Sequence, residues 1–120
     1  MPYADTDFFI ALADTNDRLN ASALSVYERY RGAIYTSLAV AIEVALIFVR
    51  RNQSVERAIG DVISIAHLHD ADPNKAMLAA HLIDGEGMSV FDAFHAAFCD
   101  GEIISSDHVY DRINLHRIKL

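Results

Sequence analysis

Residues 33–49 read AIYTSLAVAIEVALIFV, and this stretch predicts a short strand that runs directly into a long helix. Residues 33–36 carry the β-favouring side chains of a strand. Residues 38–49 are apolar except for Glu43, and a helix that is apolar on every side is typical of a protein interior. We therefore expect a buried helix at 38–49 that carries one acidic side chain.

The segments on either side repeat this alternation of short strands and helices. The other predicted strands are residues 2–5, 67–69 (a strand or a turn), 102–106 and 115–119. The other predicted helices run from about 18 to 31, from Ser54 to about Ala66, from Asp72-Pro73 to Gly85 or Gly87, and from Ser89 to about Cys99. Strands separated by helices imply crossover connections, so we predict an α/β fold with a short central parallel sheet of four or five strands flanked by helices.

The composition favours one folded domain over residues 1–120. Hydrophobic residues make up 52% of the chain and charged residues 22%, which is enough apolar material for a core. Cys99 is the single cysteine, the N-terminal residues lack a signal-peptide pattern, and no apolar run is long enough to span a membrane, so we expect a cytoplasmic protein. The net charge of −7 disfavours a general electrostatic grip on nucleic acid, but it is compatible with carboxylates that bind cations.

Three acidic residues lie at the ends of predicted strands or inside the predicted apolar helix. Asp5 and Asp107 end predicted strands, and neighbouring parallel strands would bring both side chains into one crevice. Each of them also suits a turn or a helix cap. Glu43 lies inside the apolar helix, where a carboxylate is unfavourable unless it is paired, protonated or bound to a metal.

Asp92 has two interpretations that the sequence leaves open. Ser89-x-x-Asp92 fits a capping box, in which the acid bonds back to the first turn of the helix. Asp92 also shares a helix face with His95, away from the aromatic face formed by Phe91, Phe94 and Phe98. Acids gathered in one crevice would repel each other unless a cation joined them, and Mg²⁺ or Mn²⁺ prefers carboxylate oxygens. We therefore predict a divalent-cation site formed by Asp5, Glu43, Asp92 and Asp107.

At these residues the chain resembles the PIN-domain ribonucleases, and most closely the VapC-like toxins of prokaryotic toxin–antitoxin pairs. The matching segments follow the family's order: residues 3–7 with the first acid, Thr36-Ser37 and then Glu43-Val44 with the second, residues 92–97 with the third, and residues 104–111 with the fourth. Two positions depart from the family pattern. Asp7 stands where Ser or Asn is frequent, and Ser105 stands where Thr is more usual.

The resemblance implies a PIN-like three-layer fold and Mg²⁺- or Mn²⁺-dependent hydrolysis of RNA phosphodiester bonds. It implies catalytic and metal-binding roles for Asp5, Glu43, Asp92 and Asp107, with direct ion contacts for Asp5 and Asp92 and both direct and water-mediated contacts for the other two. The residues expected to support them are Thr6, Asp7, Thr36, Ser105 and Asp111. It also implies an RNA substrate, a cognate antitoxin, a homodimer and no association with membranes.

Other interpretations remain open on the sequence. The chain also suits a non-catalytic PIN-like module whose acidic crevice binds a basic protein tail, or a stand-alone RNA-processing nuclease. His67-x-His69 with Asp70 and Asp72 offers ligand types that suit zinc, although the polarity of this segment favours a solvated loop. We expect Cys99 to be a small buried residue and not a nucleophile.

Overall fold

Five parallel strands form the central sheet of the molecule. The structure is a computed structural model, and it describes residues 1–69 and 72–120. The strands are β1 (Tyr3–Ala4), β2 (Tyr35–Ser37), β3 (His67–His69), β4 (Glu102–Ser105) and β5 (His116–Lys119). Their order is β3-β2-β1-β4-β5, and each neighbouring pair is parallel. The predicted α/β fold with a parallel sheet of four or five strands is confirmed.

In the described residues six helices flank the sheet, and most of them match the predicted segments. They are α1 (Thr6–Ala13), α2 (Asn20–Tyr30), α3 (Leu38–Arg50), α4 (Val55–Ile65), α5 (Pro73–Glu86) and α6 (Val90–Phe98), followed by a short 3₁₀ helix at His108–Ile113. Residues 8–12 are an apolar stretch that lies outside the predicted strands and helices. They belong to α1, which begins directly after Asp5 because the Oδ1 atom of Asp5 accepts a hydrogen bond from the Thr6 amide at 2.7 Å.

The three central strands, β1, β2 and β4, are largely buried on both faces of the sheet. Tyr3, Tyr35, Ile103 and Ile104 are almost completely inaccessible to solvent. Strands that are covered on both faces carry consecutive apolar residues instead of an alternating pattern. In the pairing of β1 with β4, Tyr3 lies opposite Ile103 and Ala4 lies opposite Ile104, so the two strands end side by side.

Helix α3 is only partly buried, and the expectation of a fully buried helix was wrong. It packs against α1, α4 and α6 through a face that includes Val40 and Val44. Its other face exposes apolar side chains, and Leu38 and Val49 are 61% and 64% accessible. An apolar sequence does not determine how many neighbours a helix has. Glu43 lies between the two faces, with its side chain 27% accessible.

Within the described ranges, no helix is long and apolar enough to cross a membrane.

Candidate active site

A cleft of about 410 Å³ lies at the edge of the sheet where the strands have their carboxyl ends. Strand β1 leads into Asp5, strand β4 is followed by Asp107, α3 supplies Glu43 and α6 supplies Asp92. The structure therefore brings together all four acids that the sequence analysis grouped. The other residues that line the cleft are Thr6, Asp7, Ile10, Asp17, Leu19, Ile47 and Ser106.

Asp5 lies at the bottom of the cleft and is 6% accessible. Its Oδ1 atom caps α1, and its Oδ2 atom lies 3.0 Å from the Ser105 hydroxyl and 3.1 Å from the Tyr110 hydroxyl, both of which are donors. Burial raises the pKa of Asp5 to about 6, although the nearby His95 acts in the opposite direction. Asp5 is therefore both a helix cap and a buried carboxylate whose charged form is unfavourable, so the cap interpretation and the site interpretation do not exclude each other.

Asp5, Glu43 and His95 form what we call the inner cluster. The Nε2 atom of His95 lies 3.2 Å from Asp5 Oδ1 and 3.2 Å from Glu43 Oε1, and the imidazole is completely buried. Glu43 Oε1 also accepts a hydrogen bond from the Thr6 hydroxyl. Burial raises the pKa of Glu43, but the hydrogen bonds from His95 and Thr6 outweigh it and hold the pKa below its usual value.

Asp92 and Asp107, which we call the outer pair, have fewer hydrogen-bond partners than Asp5 and Glu43. Asp107 is exposed, and its Oδ1 atom caps the 3₁₀ helix by accepting from the Val109 amide at 2.9 Å. Asp92 is half-buried, and its nearest donor is the Tyr110 hydroxyl at 3.4 Å. The Ser89 hydroxyl accepts from the Asp92 amide at 3.4 Å, so half of the predicted capping box is present while the Asp92 carboxylate lines the cleft.

Asp7 is a fifth carboxylate at the cleft wall. Its Oδ2 atom accepts from the amide and the hydroxyl of Ser106, the amide at 2.8 Å. Its Oδ1 atom is buried and has no hydrogen-bond partner among the described residues. Burial raises the pKa of Asp7, although the bonds from Ser106 and Ser105 lower it. A buried carboxylate oxygen without a donor is expected where a cation or a proton completes the site.

The remaining predicted support residues differ in their distance from the cleft. Thr36 is buried in β2, and its hydroxyl donates to the Ala4 carbonyl at 2.9 Å, which joins β2 to β1. Asp111 accepts from Arg117 at 2.9 and 3.1 Å and does not line the cleft. Arg117 in turn donates to the Ser105 carbonyl at 3.1 Å, so this arginine connects Asp111 to the site.

Sequence reasoning missed the roles of two buried residues, His95 and Tyr110. The signals were present, because His95 follows Asp92 by one helical turn and Tyr110 follows Asp107 by three residues. A third residue, Asp17, was not considered as part of the cleft that it lines, and its Oδ1 atom accepts from the Leu19 amide at 2.8 Å.

The alternative zinc site gains no support within the described residues. His67 lies 3.2 Å from the Gly32 carbonyl, and His69 stacks on Tyr35 with ring centroids 4.2 Å apart. Asp70 lies outside the described residues. In the described part of the chain, one group of three ligand-type side chains has its donor atoms within 4.8 Å of one another, and it is the inner cluster.

A second cleft, of about 470 Å³, lies beside the loop that joins α3 to α4. Arg51 and Arg57 line it together with Asp14 and Asp61. Because positive and negative side chains alternate there, it lacks the concentration of acids that a divalent cation requires. The acidic cleft is therefore the candidate active site.

Comparison with known proteins identifies relatives of this fold. The family model described as PIN domain matches residues 3–114. The structure of VapC20 from Mycobacterium tuberculosis, described as a sarcin–ricin loop cleaving toxin, has a TM-score of 0.78 at 16% identity and covers 98% of each chain. No curated protein sequence matches the chain.

Two solved complexes are also similar. A toxin–antitoxin complex from Klebsiella pneumoniae has a TM-score of 0.72 at 18% identity, covering 90% of this chain and 88% of that chain. VapBC2 from Rickettsia felis, bound to a DNA fragment from its promoter, has a TM-score of 0.71 at 11% identity, covering 98% and 97%. At these identities the likeness establishes the fold.

Proposed function

The chain belongs to the PIN-domain family, and we propose that it is a metal-dependent endoribonuclease that acts as the toxin of a toxin–antitoxin pair. The observation that carries the proposal is the meeting of Asp5, Glu43, Asp92 and Asp107 in one cleft, since these acids come from four separate elements. Asp5 and Asp107 also cap helices, but capping does not require four acids to share one cleft, where they repel each other and where a divalent cation would hold them together.

The donor set fits Mg²⁺ or Mn²⁺. The cleft offers carboxylate oxygens from several chain segments, and the orphaned Oδ1 atom of Asp7 adds an unused one. We assign the metal-binding role to Asp5, Glu43, Asp92 and Asp107. When bound, such an ion lowers the pKa of a water molecule and stabilises negative charge on a phosphate and on the departing oxygen.

The neighbouring side chains hold these carboxylates in place before any substrate arrives. The Thr6 amide bonds to Asp5 and the Thr6 hydroxyl bonds to Glu43, while Ser105 and Tyr110 fix the other oxygen of Asp5. Preorganised ligands need no rearrangement during the reaction, which is how a site of this kind lowers a barrier. Asp107 of the outer pair is exposed and is therefore accessible to an RNA phosphate.

An antitoxin is the partner that this surface suits. Two of the similar structures are described as a toxin–antitoxin complex and as VapBC2 bound to promoter DNA. A chain with a net charge of −7 and a cleft lined by six acids would attract a basic segment, because opposite charges speed encounter and fix orientation. A basic antitoxin tail that reached the cleft would compete with the cation for the same carboxylates.

RNA cleavage by the purified chain tests the proposal. Total bacterial RNA and a sarcin–ricin loop hairpin, the substrate type named for VapC20, are incubated with Mg²⁺ or Mn²⁺, with and without EDTA. Cleavage sites are then read by sequencing the new RNA ends. The matched variants are the double substitution Asp5→Asn/Asp92→Asn in the cleft and Asp84→Asn, an exposed acid on α5 outside it.

We expect the wild type and Asp84→Asn to cleave RNA when the ion is present. We expect no cleavage in EDTA and none by the double variant. Undiminished cleavage by the double variant would refute the assignment of the site. Tight binding of a basic protein tail with no ion-dependent cleavage of any RNA offered would instead support the non-catalytic module.

A further inference from the structure

The inner cluster contains a nitrogen donor that the proposed carboxylate set does not use. We propose that His95 is a direct ligand of the ion held by Asp5 and Glu43, and that it makes the cleft prefer ions that accept nitrogen, Mn²⁺ among them, over Mg²⁺. This inference rests on the proposed function, because it concerns the ion of the same site.

The distances within the inner cluster match one coordination shell. Nε2 of His95 is 3.2 Å from Asp5 Oδ1 and 3.2 Å from Glu43 Oε1, and the three donor atoms lie within 4.8 Å of one another. Adjacent ligands of an ion with bonds of about 2.1 Å are separated by about 3 Å. The three atoms therefore already stand close to the spacing of neighbouring ligands.

One hydrogen on Nε2 cannot satisfy both carboxylates, because it can point fully at only one acceptor. The contact of Nε2 with Glu43 is a hydrogen bond of 3.2 Å, longer than the usual value of about 2.7–2.9 Å between charged groups, and the contact with Asp5 has the same length. An ion between the three atoms would bind Asp5 as well as Glu43.

The other side of the imidazole is arranged as the second shell of a metal ligand. Nδ1 lies 3.0 Å from the Tyr3 hydroxyl oxygen, which lies 2.6 Å from the Ser37 hydroxyl. A histidine that binds a metal through one nitrogen generally donates the hydrogen on its other nitrogen to a neighbouring oxygen. Donation from Nδ1 to Tyr3, and from Tyr3 to Ser37, would leave the Nε2 lone pair directed at Asp5 and Glu43.

Ion preference follows from the chemistry of this donor. Mg²⁺ binds oxygen ligands almost exclusively, while first-row transition-metal ions also accept imidazole nitrogen and bind such sites more tightly. Loss of His95 should therefore weaken Mn²⁺ binding by at least about tenfold and change Mg²⁺ binding much less. A residue that only positioned the carboxylates would affect both ions alike.

Pulsed electron paramagnetic resonance of the full chain loaded with one equivalent of Mn²⁺ tests the inference directly, because it detects nitrogen nuclei bound to the ion. Calorimetric titrations with Mn²⁺ and with Mg²⁺ give the affinity ratio. The variant is His95→Gln, which keeps an N–H donor for the carboxylates but lacks the imidazole. His81→Gln, at an exposed histidine on α5, is the matched control.

We expect a ¹⁴N coupling in the wild type and in His81→Gln, and its loss in His95→Gln together with a fall in the Mn²⁺/Mg²⁺ affinity ratio of at least about tenfold. Mn²⁺ binding by the wild type without a ¹⁴N coupling would overturn this inference and leave the nuclease proposal intact. That measurement needs no variant, so it decides the matter even if His95→Gln does not fold. Failure of the wild type to bind either ion would overturn the nuclease proposal as well.

Discussion

The inner cluster and the outer pair face the same cleft but are built differently. Asp5 and Glu43 are held by a buried imidazole, by Thr6 and, for Asp5, by two further hydroxyls. Asp107 is exposed, and among the described residues its carboxylate accepts one bond, from the Val109 amide. The four acids are equal in charge, and their surroundings distinguish them.

This structural difference suits the inner cluster and the outer pair to different tasks. Fixed, desolvated carboxylates are suited to hold an ion at one position, because their geometry is set in advance and water does not compete with them. Carboxylates in contact with solvent are suited to adjust to a substrate phosphate or to act through water. The inner cluster is therefore expected to dominate ion binding, and the outer pair to make a smaller contribution to cleavage.

The largest effect is expected from Asp5→Asn, measured as kcat/KM for RNA cleavage. Loss of the most buried carboxylate should remove several kcal/mol of charge stabilisation, which corresponds to a decrease of about 1,000-fold. Asp84→Asn controls for the loss of one negative charge outside the cleft. A decrease below about tenfold would mean that the inner cluster does not dominate the site.

The same substitution should stabilise the protein in EDTA at neutral pH. Burial raises the pKa of Asp5 from 3.8 to about 6. The Asp5 carboxyl therefore makes its full contribution to stability below pH 3.8, and this contribution is lost as the pH rises through about 6. Near pH 7, Asp5→Asn should therefore increase the free energy of unfolding by roughly 3 kcal/mol relative to the wild type.

Urea unfolding of both proteins at a series of pH values measures this difference. We expect it to shrink as the pH falls through about 6 and to disappear only below about 3, where the wild-type carboxyl is protonated in both the folded and unfolded chains. A constant difference over this range would show that the charge on Asp5 is not its cause. Asp84→Asn again reports the effect of removing an exposed acid.

A smaller effect is expected from Asp107→Asn. Asparagine keeps the ability to cap the 3₁₀ helix through its side-chain oxygen, so the fold should be retained. Loss of a solvent-exposed carboxylate should lower kcat/KM by about tenfold, well below the effect of Asp5→Asn. Equal losses in the two variants, measured on the same RNA, would remove the distinction between the inner cluster and the outer pair.

The smallest effect is expected from Tyr110→Phe, which tests the connection between the two regions. The Tyr110 hydroxyl lies 3.1 Å from Asp5 and 3.4 Å from Asp92, so it spans the inner cluster and the outer pair. Its loss should cost about 1 kcal/mol of unfolding free energy, as measured by urea denaturation in EDTA. A variant as stable as the wild type would indicate that the two regions are held independently.

The sequence predicted most of the fold because its periodicity is local. Strand β4 and helix α4, for example, can each be recognised from the pattern of apolar residues within a short segment. The parallel sheet then follows from the alternation of strands and helices along the chain. The exposed face of α3 was not predictable in this way. Hydrophobicity shows that a side chain can be buried, but it does not show which neighbouring elements cover it. Helix α1 was missed since its two turns begin directly at Asp5, where the sequence still suggested a strand end.

The prediction of the candidate site has the same limit. Acids at strand ends are visible in the sequence, since parallel strands share an edge. The spacing of one helical turn from Asp92 to His95 is visible in the sequence, but the partners of His95 are not, because its contact with Glu43 joins residues 52 positions apart and its contact with Tyr3 joins residues 92 positions apart. Such partners depend on how α6 lies against α3 and β1, which no local pattern specifies.

The short connection between β1 and α1 restricts where this chain tolerates a change of length. Asp5 is the single residue between the two elements. One inserted residue would turn the start of α1 by about 100° and carry Thr6 away from Glu43. At the opposite edge of the sheet, the turns at Gly32 and Gly101 are exposed, so residues can be gained there without moving the acids. Natural variation in loop length is therefore expected to accumulate at that edge.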